Sequence, residues 1–270
     1  MIIEKFIEID EIKVFHNDIN DEHPDYNVQG LDNLYNVEEK YFWFLARKDF
    51  IALQMEKYGL KQSKIIEIGA GTGNVSRYLL DRGYTDISVG DMHLNGLKYA
   101  KSYGIKDCYQ FDLLRSPFES EFPTVCMFDV LEHIQNSHSA LQNVHKMLSK
   151  EGYLVITVPA HGWLWNRGDA IAGHKKRYTR NILISELKEC GFDPILSRYF
   201  FISIIPLLFL RCFVNKDDGS QITKEEYSQK ITINPLINKI LSGICLIENR
   251  LNQYLPNWFG GSLLVVARKT

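Results

Sequence analysis

The sequence predicts an α/β fold: a doubly wound, mostly parallel sheet of seven strands, with a helical insertion before the last strand. Three observations carry this expectation. From Lys64 onward, short apolar runs alternate with helical stretches, the pattern of a parallel sheet with helices on both faces. The first apolar run ends in a glycine-rich turn, Gly69-Ala70-Gly71-Thr72-Gly73, that opens a helical stretch. Open sheets bind nucleotides at such places. The 270 residues are 45% hydrophobic and 24% charged, the balance of a globular core with an elaboration.

In chain order, residues 1 to about 36 read as acidic and irregular, with "KFIEIDEIKVF" as a short strand and "HNDINDEHPDYN" as a loop. "NVEEKYFWFLARKDFIALQMEKYGL" reads as a helix with Trp43, Ala46, Phe50 and Leu53 near one face and Gly59 as its stop. Strands are expected at "KIIEIGA", "DISVGDM", "DCYQFD", "TVCMFDVLEHI", "YLVITVPA", "ILSRYFF" and "GSLLVVARK". Helices are expected at "VSRYLLDRGY", "HLNGLKYAKSYG", "SHSALQNVHKMLSKEG" and "LISELKECGF". Before the last strand, Leu236, Ile237, Ile240, Leu241, Ile244, Ile247, Leu251 and Tyr254 recur at helical period up to Pro256. The chain thus divides into an N-terminal extension with a leading helix (1–60), a core (61–201 with 260–270) and a helical insertion (202–259) that caps the acceptor site.

The formal net charge of -2 gives no general electrostatic reason to bind nucleic acid. Cys108, Cys126, Cys190, Cys212 and Cys245 are scattered, with no C-x-x-C pair. That argues against a disulfide framework or zinc site, so no metal is expected, and it favours a reducing compartment. The N-terminus is charged throughout and lacks a signal-peptide core, so a cytoplasmic protein is expected. The apolar run Tyr199 to Val214 is broken by Pro206 and Arg211 and falls short of the roughly 20 residues of a spanning helix. It reads as a buried strand followed by a core helix. The sharper alternative is an apolar lid over a greasy substrate, or a peripheral contact with the inner face of a membrane.

A dinucleotide fingerprint is G-x-G-x-x-G. Here the line is Glu67-Ile68-Gly69-Ala70-Gly71-Thr72-Gly73-Asn74, with Asn74 where the third glycine belongs. Glu67, two residues before the first glycine, suits a cationic ligand better than an anionic pyrophosphate. S-adenosylmethionine is such a ligand, with a sulfonium, an amino group and no phosphate. Asp91 and Asp112 end the next two strands; the first is placed to hold a ribose, the second to accept from an adenine amino group. Each alone is as well explained as a helix cap, but three acids at consecutive strand ends are less easily dismissed.

In order and spacing, "IIEIGAGTGNVSRYL", "SVGDMHLNGLKYAK", "CYQFDLLRSPF", "FDVLEHI" and "LSKEGYLVITVPA" resemble the motifs of class I S-adenosylmethionine-dependent methyltransferases. The resemblance covers about Lys64 to Phe200 and implies a Rossmann-like sheet whose last strand is antiparallel. "YFWFLARKDFI", "GHKKRYT" and "GGSLLVVARK" further resemble a bacterial subgroup linked to cell-surface glycan and lipid biosynthesis. The resemblance implies that Glu67, Gly69, Ala70, Gly71 and Gly73 line the methionine part of the cofactor. Asp91 would hold the ribose with Met92 against the adenine, Asp112 and Leu113 would flank the adenine edge, and Asp129 and Val130 would form the floor near the sulfonium. Arg47 would reach the cofactor carboxylate or, on the bland reading, form a surface salt bridge.

Asp129-Val130-Leu131-Glu132-His133 lacks the double proline of amino-group methylating enzymes. The acceptor expected is a small molecule, lipid or glycan, with oxygen the first target atom and carbon the second. Candidate bases are His133, His161 and His174. Trp163, Trp165, Asp169, Arg177 and Tyr178, in the loop after the fifth core strand, are the candidate acceptor-binding residues. "HKKRYTR" concentrates Lys175, Lys176, Arg177 and Arg180, either as a solvated face or as a site for an anionic head group. Two other classes remain: a nicotinamide-dependent oxidoreductase, disfavoured by Glu67 and Asn74, and a non-catalytic cofactor-binding protein. The oligomeric state is not legible.

Overall fold

The computed structural model describes residues 1–19, 28–214 and 233–270. Residues 20–27, part of the segment read as a loop, and residues 215–232 of the insertion lie outside the described residues. The strands are β1 (Ile7–Ile9), β2 (Ile12–Val14), β3 (Ile65–Ile68), β4 (Ile87–Asp91), β5 (Asp107–Gln110), β6 (Phe122–Phe128), β7 (Leu148–Pro159), β8 (Phe192–Phe200) and β9 (Ser262–Lys269). The helices are α1 (Val28–Val37), α2 (Phe42–Lys57), α3 (Asn74–Asp81), α4 (Leu94–Ser102), α5 (Ser137–Met147), α6 (Arg167–Ala172), α7 (Arg180–Glu189), α8 (Ile205–Val214) and α9 (Pro235–Leu251).

One sheet runs β1-β2-β5-β4-β3-β6-β7-β9-β8. The seven expected strands are its body, with β9 antiparallel between β7 and β8 and parallel pairing from β5 through β7. The other two strands come from the N-terminal segment read as one short strand. That segment folds as a hairpin because Asp10 and Glu11 both take positive φ, 50° and 60°, the backbone of a two-residue hairpin turn whose twist matches its strands. β2 then covers the β5 edge in parallel.

Alternation along the strands sorts the layers. Ile66 and Ile68 pack with the buried faces of α5 and α7. Ile65 packs with α2 and α3, so Glu67, two residues on, faces the same side. Phe50 of α2 stacks on Phe200 at 4.6 Å, worth about 0.5–1.5 kcal/mol beyond its burial. The leading helix is broken in two: α1 ends at Val37 and α2 begins at Phe42. Gly59, at φ 67°, ends the second as expected. α5 stops at Met147, short of Gly152, because Leu148 already pairs with Phe122.

The insertion differs most from expectation. The strand half of Tyr199–Val214 is buried, through Tyr199, Phe200 and Phe201. Its helix, α8, has no buried residue, which corrects the core-helix reading. In α9 the periodic apolar residues Leu236, Ile237, Ile240, Ile244, Ile247 and Leu251 face solvent. The face turned inward is Cys245, Glu248 and Asn249. Its polar groups satisfy backbone that the sheet leaves open: Asn249 donates to the Ala46 carbonyl at 2.8 Å and to Asp49 Oδ2 at 3.0 Å, Glu248 accepts from the Ile202 and Ser203 amides, and Asn238 accepts from the Phe42 amide at 2.9 Å. Hydrogen bonding, together with Cys245 and Leu241 packed into the cluster around α2, seats α9 on α2. No helix among the described residues is long and apolar enough to cross a membrane.

Candidate active site

The glycine turn leaves β3 with Gly69, Gly71 and Gly73 at φ 66°, 54° and 79°, backbone that only glycine adopts freely. The Gly69 amide donates to the Gly90 carbonyl at 2.8 Å. A Cβ on Gly69 would sit 2.5 Å from a Val130 methyl, so the turn and the β6 loop nearly touch. Ala70 stays half-buried beside them. At the end of β4, Asp91 accepts from the Gly71 amide at 2.8 Å and from the His93 amide at 2.8 Å, which orients its carboxylate toward the turn. Met92 follows, its carbonyl held by Gln110. Asp112 caps the short turn after β5, accepting from the Leu114 amide at 2.8 Å, so the capping role is realised there. The expected position of Leu113 at the adenine edge needs qualification, since its side chain is buried among the core residues.

Beneath the turn lies a buried charge cluster. Arg47, on α2, pairs with Asp129 Oδ2. Both side chains are largely buried, so the surface-bridge reading of Arg47 does not hold. Burial alone would lower the Arg47 pKa, but Asp129, with Glu67 and Glu38 behind it, raises it. Its Nε is buried with no hydrogen-bond partner among the described residues, a donor that fits a ligand carboxylate. Asp129 has φ 57° and is steadied by Thr157 Oγ1 at 3.1 Å. Glu67 accepts from Ser76 Oγ. Burial pushes its carboxyl up to about 7, with Ser76 and Arg47 opposing only in part.

Two residues that the sequence reading missed belong here. Glu38 is buried, accepts from Thr72 Oγ1 within the turn, and is likewise pushed up to about 7 by burial. Glu39 accepts from Asn74 Nδ2. The junction between α1 and α2 is thus fastened over the glycine turn, and "NVEEK", two acids before an aromatic helix, was the available signal.

The pH dependence follows. Glu67 holds its proton in the fold up to about pH 7, while the unfolded chain releases it near 4.5. Between those values the folded state binds more protons, so stability falls as pH rises through the window. The cost at pH 8 is on the order of 3 kcal/mol for Glu67. Glu67→Gln is expected to raise the Tm at pH 8 but not at pH 4, and to flatten the Tm–pH slope between, as read by thermal denaturation across that range.

On the acceptor side, three loops converge. The Lys175 amide donates to the Glu132 carbonyl at 2.7 Å, tying the "GHKKRYT" loop to the loop after β6. His133 and His174 meet edge to face with centroids 4.8 Å apart. His174 Nδ1 lies 2.8 Å from Asp169 Oδ1. Asp169 is buried and gripped by Arg177 through both oxygens at 2.8 and 2.9 Å. Burial alone would raise the Asp169 carboxyl, but His174 and Arg177 hold it below its ordinary value. Burial, with the charge of Asp129, drives the Glu132 carboxyl well above its ordinary range.

His161, at φ 57°, stacks between Trp163 at 5.4 Å and Tyr199 at 4.9 Å. Burial, then Arg177 and Arg180, lower its pKa, keeping the ring neutral. Its Nε2 has no hydrogen-bond partner among the described residues. Trp163 is exposed and meets Phe209 of α8 edge-on at 6.0 Å, and Trp165 is half-buried. Two expectations of direct acceptor contact are corrected. Tyr178 is 0% exposed, within the core, and Asp169 spends its oxygens on Arg177, His174 and the Asn166 amide. The basic cluster is also dispersed: Lys176 pairs with Glu186, Arg177 with Asp169, and Arg180 bonds Ser197 and Asn257.

A family model described as "Methyltransferase domain" matches residues 35–197, well over half of the chain. The "Ubiquinone biosynthesis O-methyltransferase" of Glaesserella parasuis serovar 5 (strain SH0165) is 30% identical over 109 residues, 37% of this chain and 46% of that protein. A "Hybrid PKS-NRPS synthetase thnA" of Trichoderma harzianum is 30% identical over 142 residues, 47% of this chain and 3% of that protein. The chain therefore spans less than half the length of these curated relatives.

Among solved structures, Haemonchus contortus phosphoethanolamine N-methyltransferase 2, in complex with S-adenosyl-L-methionine, aligns at TM-score 0.53 and 17% identity, over 89% of this chain and 60% of that one. A Thermotoga maritima methyltransferase described as a possible histamine N-methyltransferase aligns at TM-score 0.55 and 15% identity, over 90% and 99%. These likenesses show the fold. With the glycine turn, the strand-end acids and the family match together, the chain belongs to the S-adenosylmethionine-dependent methyltransferase domains.

Proposed function

We propose that the protein methylates an oxygen atom of a lipid-linked or glycan-linked small acceptor at an anionic membrane surface. The observation that carries this reading is the reversed polarity of α9. Its apolar stripe faces outward, with Tyr254 77% and Trp258 78% exposed beyond it. The charged residues of α9 are Lys239, Glu248 and Arg250. Glu248 is turned inward, leaving Lys239 and Arg250 outside, the latter bonded to Asp49 at 3.2 Å yet 56% exposed. An apolar face edged with cations and aromatics is the composition of a helix lying in a lipid interface. α8, also outward and apolar, reaches the acceptor side through Phe209 and Trp163, which supports delivery of a hydrocarbon-tailed acceptor along that face. The name of the G. parasuis relative, an O-methyltransferase, supports oxygen as the target.

S-adenosylmethionine supplies a methyl group already activated on a sulfonium. The chain's residues would then chiefly align and exclude water. Glu67 would face the cationic end of the cofactor, Arg47 Nε would hold its carboxylate, Asp91 the ribose and Asp112 the adenine edge. His161, held neutral, is placed to take a proton from a hydroxyl.

Two measurements test the reading. Calorimetry is expected to give tight binding of S-adenosylhomocysteine and none of NADH; the reverse would assign a nicotinamide enzyme. In flotation with phosphatidylglycerol vesicles, the protein is expected to rise with the lipid. An Ile240→Asp, Ile244→Asp, Ile247→Asp variant should lose at least tenfold of that partition while keeping its S-adenosylhomocysteine affinity. Wild-type protein left at the bottom of the gradient would remove the membrane part alone.

A further inference from the structure

We propose that Glu132, His133 and His174 form a binding site for one divalent transition-metal ion beside the acceptor. The sequence reading expected no metal, because it looked for cysteine spacing and these ligands come from loops 41 residues apart. One ligand atom from each of the three residues lies within 4.8 Å of the others. Ligands around one ion at about 2.1 Å stand up to roughly 4 Å apart, so small side-chain rotations close the set.

Three further observations point to a cation. Glu132 has 0% of its side chain exposed, yet neither carboxylate oxygen has a hydrogen-bond partner among the described residues. A buried carboxyl group so placed is costly unless something pairs with its oxygens. Its Oε1 lies 3.9 Å from His174 Nε2, with His133 against the same ring.

His174 also has the support that metal-binding histidines carry. Its Nδ1 is held by Asp169 at 2.8 Å, which directs Nε2 to the cluster and fixes its tautomer. Asp169 is itself locked by Arg177 and the Asn166 amide. This gives Asp169 and Arg177, committed to each other and to His174, a positioning role. Finally, the Lys175–Glu132 backbone bond holds the two ligand-bearing loops in register.

Two imidazoles and one carboxylate suit Mn²⁺, Fe²⁺, Co²⁺ or Zn²⁺ better than Mg²⁺ or Ca²⁺, which prefer oxygen alone. Three protein ligands leave open positions, the mark of a working site. The chemistry assigned to the ion rests on the hydroxyl-acceptor reading above. As a Lewis acid it lowers the pKa of a coordinated acceptor hydroxyl. The O–H bond breaks with its proton passing to the neutral His161 imidazole, the O–CH3 bond forms as the S–CH3 bond breaks, and the sulfonium leaves as a neutral thioether. No electron is exchanged, so no oxidant is needed.

The test separates the site from that reading. Chelator-stripped protein is titrated with MnCl2, with free Mn²⁺ followed by electron paramagnetic resonance, and with ZnCl2 by calorimetry; S-adenosylhomocysteine binding is measured separately. One ion per chain is expected, with a Tm rise on loading. Glu132→Gln and His174→Ala should each weaken binding at least 100-fold. Glu132→Gln should fold, since it keeps the side-chain shape and adds no charge to the buried site, and His133→Ala provides a second ligand deletion. Substoichiometric binding, Mg²⁺ bound as tightly as Mn²⁺, or affinity unchanged in these variants would overturn the proposal, whatever the cofactor result.

Discussion

Replacing Gly69 by alanine is expected to remove cofactor binding and to destabilise the fold by about 2–4 kcal/mol. Two costs add. At φ 66° an L side chain pays about 1–2 kcal/mol of backbone strain. The new methyl would also stand 2.5 Å from one Val130 methyl and 3.1 Å from the other. The backbone cannot retreat freely, because the Gly69 amide is bonded to Gly90. The loop must then shift, and a shift of even 1 Å misplaces every donor that follows. Calorimetry with S-adenosylhomocysteine should show a loss of at least 100-fold, and thermal denaturation a drop of several degrees. Adding Val130→Ala should recover the packing part of the Tm but not the strain. Unaltered ligand affinity in Gly69→Ala would mean that the turn does not approach the ligand.

Replacing Arg47 by alanine is expected to cost about 3–5 kcal/mol, because it strands a buried Asp129 without its partner. The effect exceeds an ordinary pair deletion, since Glu67 and Glu38 also lie within reach of the same guanidinium. Denaturant unfolding is the measurement. The double change Arg47→Met with Asp129→Asn should recover most of the stability, having removed both charges, but it should not restore S-adenosylhomocysteine binding. If the single and double variants unfold alike, the pair is not the source of the loss.

The sheet was legible because its signals are local. Most strands from β3 onward hold an apolar run bounded by glycine or an acid, and Gly69, Gly71 and Gly73 carry backbone geometry in their identity. The hairpin was harder. Asp10 and Glu11 are not the Asn-Gly pair that announces such a turn, and their positive φ is set by strand pairing. The direction of α9 was not legible. Periodicity fixes that a helix has an apolar face, not which way it turns. Here Asn238, Glu248 and Asn249 outcompeted it, because α2 and the segment after β8 offered unpaired backbone groups. At the site, acids at strand ends were readable one by one. The meeting of Glu132 and His133 with His174 was not, because it depends on two loops being drawn together by a single backbone bond. Burial likewise reassigned Tyr178 and Asp169, whose residue types suggested contact with a ligand.

The seating of α9 on α2 also bears on the order in which the protein is completed. Asn249 reaches the Ala46 carbonyl across 203 residues and Asp49 across 200. Such distant pairings form late, since loop closure must precede them. On the ribosome, the stretch of α2 from Ala46 to Asp49 is therefore synthesised about 200 residues before the helix that fastens it. α2 therefore gains its hydrogen bonds to α9 only after the outward apolar helix has emerged, later than the strands β3 to β7 that precede it in the chain.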